Sequence, residues 1–169
     1  MAAWNSPTMT APDAPSPYVA SAKTIFSATY AAWKAFDGNA ATWWNCIVSG
    51  PSADQWIKLD CGVGSSVIAT ACTIKNYYNA GLNAFKVQGS DNDADWIDLY
   101  SGNCANNSNV QPFYFAENTT IYRYLRIYCV SGYSATNLAI YEITFSGTEG
   151  GAGGLSIPVA MHHYKMMRG

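Results

Sequence analysis

The chain has 169 residues, of which 49% are hydrophobic, 14% are aromatic and only 12% are charged, and its net charge is −2. This length suits one domain with a sizeable core. A slightly acidic chain without clusters of Lys and Arg is not expected to bind nucleic acid. No apolar run approaches the roughly 20 residues that cross a membrane, so we expect no membrane insertion.

The two ends of the chain differ in composition from its middle. Residues 1–17 are rich in Pro, Ala and Thr and are expected to be extended or disordered. Because this segment lacks Lys, Arg and an uninterrupted apolar stretch, no signal peptide is expected. A Gly-rich linker, residues 148–154, leads to a partly apolar tail, residues 155–169. We interpret the tail as a docking peptide, with a disordered end as the alternative, and the domain as residues 18–147.

Short runs of β-branched and aromatic residues, bounded by Gly, Asn, Asp and Ser, fill the middle of the chain and predict β-strands. In the run 121–130, Leu125, Ile127 and Cys129 alternate with larger or polar residues, which predicts one buried face and one wetter face. We expect an all-β antiparallel sandwich. The predicted strands are residues 22–26, 55–61, 66–77, 84–90, 96–100, 109–116, 121–130 and 138–147.

The chain has five cysteines, an odd number, and three of them lie inside predicted strands: Cys61, Cys72 and Cys129. At such positions a cysteine acts as a small buried hydrophobic residue. Free cysteines are typical of a chain made in a reducing cytoplasm.

An acidic turn near the start of the domain is a candidate cation site. Asp37-Gly38-Asn39 predicts a tight turn, because Gly adopts positive φ readily and Asn tolerates it. The carboxylate of Asp37 and the hydroxyl of Thr42 can converge around this turn on a hard cation such as Ca²⁺. A second acidic run, residues 91–95, lacks the glycine and glutamate of an EF-hand loop, and we interpret it as a hairpin loop without metal.

The domain offers little for catalysis. The two histidines, His162 and His163, lie in the tail, so residues 18–147 hold none for a Ser/His/Asp or Cys/His arrangement. We therefore expect a binding protein rather than an enzyme.

Five ordered segments carry a family resemblance: residues 35–44, 56–62, 85–91, 122–127 and 138–145. In this order and at these spacings the chain resembles the discoidin family, the factor V/VIII (F5/8) type C domains and the related galactose-binding-like family 32 carbohydrate-binding modules. The resemblance implies a jelly roll that binds sugars.

The resemblance also implies structural calcium, which some members hold with an Asp-Gly-x-x-x-Thr motif and a Glu at the start of the last strand. Asp37, Thr42 and Glu142 would supply side chains, and carbonyls near Lys34, Asn39 and Tyr141 would complete the cage. The alternative is that Asp37 only caps the turn and that Glu142 pairs with a base such as Arg123.

A sugar site needs an exposed aromatic platform beside planar polar side chains. In family 32 modules the ligand lies on loops at one end of the sandwich, near the calcium. The residues that this resemblance brings to that end are Trp44, Asn45, Asn76, Tyr77, Tyr78, Asn79, Tyr133 and Asn137. Trp43 is expected in the core instead, and Tyr77 or Tyr78 could also pack there. Asn45 stands where galactose-binding members have a His.

Residues 14–38 resemble discoidin modules attached to bacteriophage head and tail fibres. This resemblance implies a virion protein that is made in the bacterial cytoplasm and attaches weakly and multivalently to polysaccharides of the host surface. Residues 155–169 would contact other virion proteins, and the chain would be a homo-oligomer on the particle. One alternative is a structural decoration protein that keeps the fold without binding sugar. Another is a glycan-binding module of a secreted glycosidase.

Overall fold

The computed structural model describes residues 1–47, 54–65 and 67–150. These form two antiparallel sheets that pack face to face, as expected for a discoidin-like jelly roll. The strands of the described part are β1 (Ala3–Asn5), β2 (Val19–Ala22), β3 (Trp44–Ile47), β4 (Trp56–Asp60), β5 (Val67–Asn76), β6 (Ala84–Ser90), β7 (Ile97–Asn103), β8 (Val110–Tyr114), β9 (Tyr124–Cys129) and β10 (Asn137–Glu149).

One sheet has the order β1-β10-β5-β8, with β3 also paired to β10, and the other has the order β2-β4-β9-β6-β7. Strands β3 and β1 pair with the same edge of β10 but at opposite ends, along residues 137–140 and 146–148. The middle of that edge of β10 is therefore left open to a loop.

The core lies between the sheets and is built from alternate strand residues, because successive side chains point to opposite faces. On β9, Leu125, Ile127 and Cys129 are buried and the residues between them are only partly buried, which confirms the predicted alternation. All five cysteines are free and buried. Trp44 and Phe145 are among the largest fully buried side chains.

The structure departs from the predicted strands at the N-terminal side. The strand predicted at 22–26 lies instead at Val19–Ala22, and β1 and β3 were not predicted. These two strands have only three and four residues and follow no clear alternation in the sequence, so pairing with β10 determines them. The residues 1–17 contribute to the core, since Trp4 and Met9 are buried.

Two short 3₁₀ helices, Ala28–Tyr30 and Ala32–Phe36, connect β2 to the acidic turn. In the part of the chain that the structure describes, no helix is long and apolar enough to span a membrane. Strand β10 runs on to Glu149, two residues into the expected linker. The rest of that linker beyond Gly150, and the predicted docking tail 155–169, lie outside the described residues.

Candidate functional site

The acidic turn, residues 37–42, fills the gap that β3 and β1 leave on the edge of β10, and we call it the Asp37 loop. The second 3₁₀ helix leads into it and is anchored by Phe36, whose ring centroid lies 6.3 Å from that of Phe145 on β10. Gly38 has φ of +66°, a conformation that favours glycine. This turn directs the Gly38 N–H at Glu142 Oε2, 3.2 Å away, so the loop is attached to β10.

Oxygen atoms converge inside the Asp37 loop as the sequence predicts. The Thr42 hydroxyl lies 2.9 and 2.7 Å from the two carboxylate oxygens of Asp37 and 2.9 Å from the Asn39 carbonyl oxygen. The Asn39 N–H also donates to Asp37. Lys34 Nζ lies 3.9 Å from the Asp37 carboxylate, whose side chain is only 7% exposed. The described residues hold no cluster of three His, Cys, Asp or Glu side chains, so any cation here would rely on hydroxyl and carbonyl oxygens as well.

Glu142 has an unusual environment for a carboxylate beside this loop. Its Oε1 is buried without a hydrogen-bond partner in the described part of the chain. Burial, and then the negative charge of Asp37, raise the pKa of Glu142 to about 7. Arg123 pairs with Asp60 through bonds of 2.8 and 2.7 Å, so the alternative in which Arg123 partners Glu142 is wrong. A buried oxygen without a donor fits a cation ligand.

Beside the Asp37 loop, five aromatic side chains make continuous ring contacts, and we call them the aromatic row. Ring centroids are separated by 5.7, 5.2, 5.4 and 4.9 Å along the series, and the last pair is stacked with an interplanar angle of 18°. The row consists of Phe26, Tyr30, Trp43, Tyr77 and Tyr141. Phe26 is 52% exposed, whereas the other four members are partly buried.

Two residues predicted in the sugar site lie in the interior instead. Trp44 is fully buried and its indole N–H donates to the Thr24 carbonyl at 3.1 Å, whereas Trp43, predicted in the core, joins the aromatic row. Strand β3 begins at Trp44, so two adjacent tryptophans must face opposite sides of the sheet. The sequence could not tell which of the two faces inward.

Asn76 is the second correction, because it is buried and binds the protein's own backbone. Its side-chain amide accepts from the Leu82 N–H at 2.8 Å and donates to the Leu82 carbonyl at 2.7 Å. Asn76 therefore closes the loop 77–83 between β5 and β6 and is not open to a ligand.

The remaining predicted residues lie at the end of the sandwich where β5 ends and β10 begins. Tyr78 is 59% exposed and Tyr133 is 38% exposed, with its hydroxyl donating to the Cys104 carbonyl. Asn79 pairs its amide with that of Asn106, and Asn137 is the half-buried first residue of β10.

Asn45 has an unusual environment among these residues. It lies two residues from Trp43 on the outward side of β3, and its Oδ1 is buried without a hydrogen-bond partner in the described residues. Because this oxygen is buried, a ligand on the outer surface would contact the rest of the Asn45 side chain rather than this atom.

Besides Trp43, which was expected in the core, three members of the row were not predicted as ligand-binding residues: Phe26, Tyr30 and Tyr141. Phe26 was predicted as the last residue of a strand, and the structure places it after β2 instead, four residues before Tyr30. Tyr141 precedes Glu142 at an irregularity in the β10–β5 register, which no sequence pattern shows.

Comparison with known proteins places the chain in a family. Residues 19–143 match the model of the F5/8 type C domain, so the chain belongs to that family. The comparison with curated protein sequences finds no match.

Several solved structures with a similar fold are sugar-binding modules. A chitosan-binding module of a chitosanase/glucanase from Paenibacillus sp. IK-5 has a TM-score of 0.63 and 21% identity, over 78% of this chain and 95% of that one. The family 32 module of Clostridium perfringens NanJ, solved with galactose, has a TM-score of 0.63 and 19% identity, over 76% and 93%. The family 32 module of AlyQ, solved with 4,5-unsaturated mannuronic acid, has a TM-score of 0.61 and 23% identity, over 75% and 92%.

The raised pKa of Glu142 predicts how stability depends on pH in the absence of metal. Because the folded state binds this proton more tightly than the unfolded state, the resulting stabilisation is complete below the ordinary pKa of 4.5 and is lost as the pH rises through about 7. In chelator, the free energy of unfolding of Glu142→Gln should not show this loss. Denaturant titrations across this pH range measure it, with Glu117→Gln, at an exposed carboxylate, as the control. An unchanged pH dependence in Glu142→Gln contradicts the prediction.

Proposed function

We propose that this chain is a carbohydrate-binding module without catalytic activity, and that the aromatic row with its neighbour Tyr78 is its binding surface. The observation that carries the proposal is the series of five rings in contact at the end of the sandwich. Sugar rings present apolar C–H faces, and aromatic side chains that are already packed together bind such faces with little loss of conformational entropy. The sugar-bound relatives of the same fold support this proposal.

Polar groups around the aromatic row would orient a sugar. The side-chain amide of Asn45, on the outward side of β3, and the phenol of Tyr78 can each donate or accept a hydrogen bond. Tyr133 and Asn137 lie at the same end of the sandwich and could extend the contact to a second sugar unit.

We also propose that the Asp37 loop holds structural Ca²⁺. Asp37, Thr42 and Glu142 would bind it with side-chain oxygens, the Asn39 carbonyl oxygen already points into the cluster, and carbonyls near Lys34 and Tyr141 complete the proposed set. The buried Oε1 of Glu142 supports the assignment. Bound calcium would neutralise two facing carboxylates and hold the loop to β10.

Removing exposed members of the surface should weaken sugar binding without unfolding the domain. We expect Phe26→Ala and Tyr78→Ala each to reduce affinity for a bound polysaccharide at least tenfold, about 1.4 kcal/mol, since both rings are more than half exposed. Their thermal stability should change little, as at most surface positions. Affinity gels or calorimetry with a panel of bacterial surface polysaccharides measure the effect.

The matched control is Tyr114→Ala, because Tyr114 is 73% exposed on β8, outside the aromatic row. It should bind as the unmodified chain does. Equal binding by all three variants would place the sugar site elsewhere, and no binding by the unmodified chain to any glycan would contradict the proposed function.

Calcium should stabilise the folded domain through the Asp37 loop. A ligand bound only by the folded state stabilises it by RT ln(1 + [L]/Kd), about 2.7 kcal/mol at a hundredfold excess over Kd. We expect calcium to raise the melting temperature of the unmodified chain and of Asp98→Ala, whose carboxylate lies on β7 in the other sheet. Asp37→Ala and Glu142→Ala should melt at the same temperature with calcium and with chelator. If neither calcium nor chelator changes the melting of the unmodified chain, the calcium proposal fails.

For the biological setting, we propose a bacteriophage head or tail fibre on which several copies attach to host glycans. The resemblance of residues 14–38 to such modules supports it, and five buried free thiols suit folding in a reducing cytoplasm. Several weak sites on one particle would bind with avidity. The proposed anchor, residues 155–169, lies outside the described residues.

The mass of the native assembly tests this setting. We expect the chain in a particle-bound oligomer, and truncation after residue 149 should release a folded, monomeric domain. A free monomer, or a domain joined to a hydrolase, would favour the secreted-glycosidase alternative. A particle-bound chain that ignores every glycan would favour the decoration-protein alternative.

A further inference from the structure

The aromatic row has a positive charge beside it that forms no ion pair with an acidic residue of the described part of the chain. Lys75 lies on the outward side of β5, next to the buried Asn76, and its Nζ is 5.3 Å from the centroid of the Tyr141 ring. Tyr141 is in turn stacked on Tyr77, with centroids 4.9 Å apart. The ammonium group therefore lies at the stacked end of the proposed binding surface.

Of the other four lysines in the described residues, three form ion pairs, and the fourth, Lys23, has neither an ion pair nor a contact with an aromatic ring there. Ion pairs within 4 Å use Lys34, Lys58 and Lys86, each with an aspartate. Lys75 has neither an ion pair nor a side-chain hydrogen bond in the described part of the chain. Its contact there is the ring of Tyr141, which holds the ammonium group in place but leaves its three donors available.

The acids near Lys75 in the fold are directed elsewhere. Glu142 is its partner in the β10–β5 register, but the Glu142 carboxylate accepts the Gly38 N–H in the Asp37 loop. The Lys75 ammonium group is therefore available to pair with a negative group of a ligand at this surface.

We propose that the glycan is anionic, and that Lys75 binds the acidic group of a sugar unit whose ring lies on the Tyr77–Tyr141 stack. This inference rests on the proposed function and names its substrate class. A ring laid on the stack brings a substituent at its edge next to the ammonium group. The acidic group is a carboxylate, as in a uronic acid, or a sulfate ester, since a lysine ammonium interacts with both as a compact charge.

Matched pairs of glycans test whether an acidic group on the sugar strengthens binding. The first pair is a β-1,4-oligomannuronate and a β-1,4-oligomannoside, which differ only in carboxylate against hydroxymethyl. The second pair is a sulfated and a desulfated oligogalactoside, and an array of acidic and neutral bacterial polysaccharides accompanies both pairs. We expect the full chain to bind the acidic member of at least one pair, or the acidic polysaccharides of the array, roughly tenfold more tightly, as a charge-assisted hydrogen bond at a partly exposed site allows. Added salt should reduce this preference.

Substitutions at Lys75 test whether this residue causes the preference for acidic sugars. Lys75→Gln should abolish the preference for acidic sugars while leaving binding of neutral sugars unchanged, and Lys75→Arg should retain most of it. Lys86→Gln, which removes a lysine from the outward side of the other sheet, should behave as the unmodified chain.

The outcomes separate this inference from the proposed function. Binding to neutral sugars alone, or a preference for acidic sugars that survives in Lys75→Gln, overturns the inference and leaves the proposed function intact. Absence of binding to every glycan overturns both.

Discussion

Strand β10 is shared by every part of this molecule that bears on function. Along one edge it pairs with β5, and along the other it pairs with β3 and β1, with a gap between them. The Asp37 loop enters that gap and is bound to Glu142 through the Gly38 N–H. Because the same loop leads into Trp43, the position of the aromatic row depends on how the loop meets β10.

The residue that attaches this loop to β10 is Glu142, and burial disfavours the charged form of its carboxylate. Glu142 has one buried oxygen without a partner in the described residues and faces the negative charge of Asp37. A buried acid in this position is protonated or neutralised by a cation. The proposed calcium would therefore act on binding indirectly, by fixing the segment from which Trp43 extends.

The proposed binding surface is also linked to β10 through Tyr141, which precedes Glu142. Tyr141 contacts Trp43 and Tyr77, and the Lys75 ammonium group lies near its ring. The β10–β5 register is irregular between Ile140 and Glu142. At this point Tyr141 contacts the aromatic row, while the adjacent Glu142 contacts the Asp37 loop. The proximity of the two sites follows from this bulge, because a bulge re-aims side chains locally.

The sequence by itself determined the sandwich, the buried cysteines, the alternation in β9 and the residues that converge in the Asp37 loop. Each of these follows from local patterns: strand periodicity, turn residues and a recognisable motif. The tertiary structure decided that Trp44 and not Trp43 enters the core, that Asn76 binds the backbone of Leu82, and that Phe26, Tyr30 and Tyr141 join one row. These outcomes depend on strand register and on contacts between residues far apart in the chain. A shift of one residue along a strand exchanges its inward and outward faces, and composition does not fix that shift.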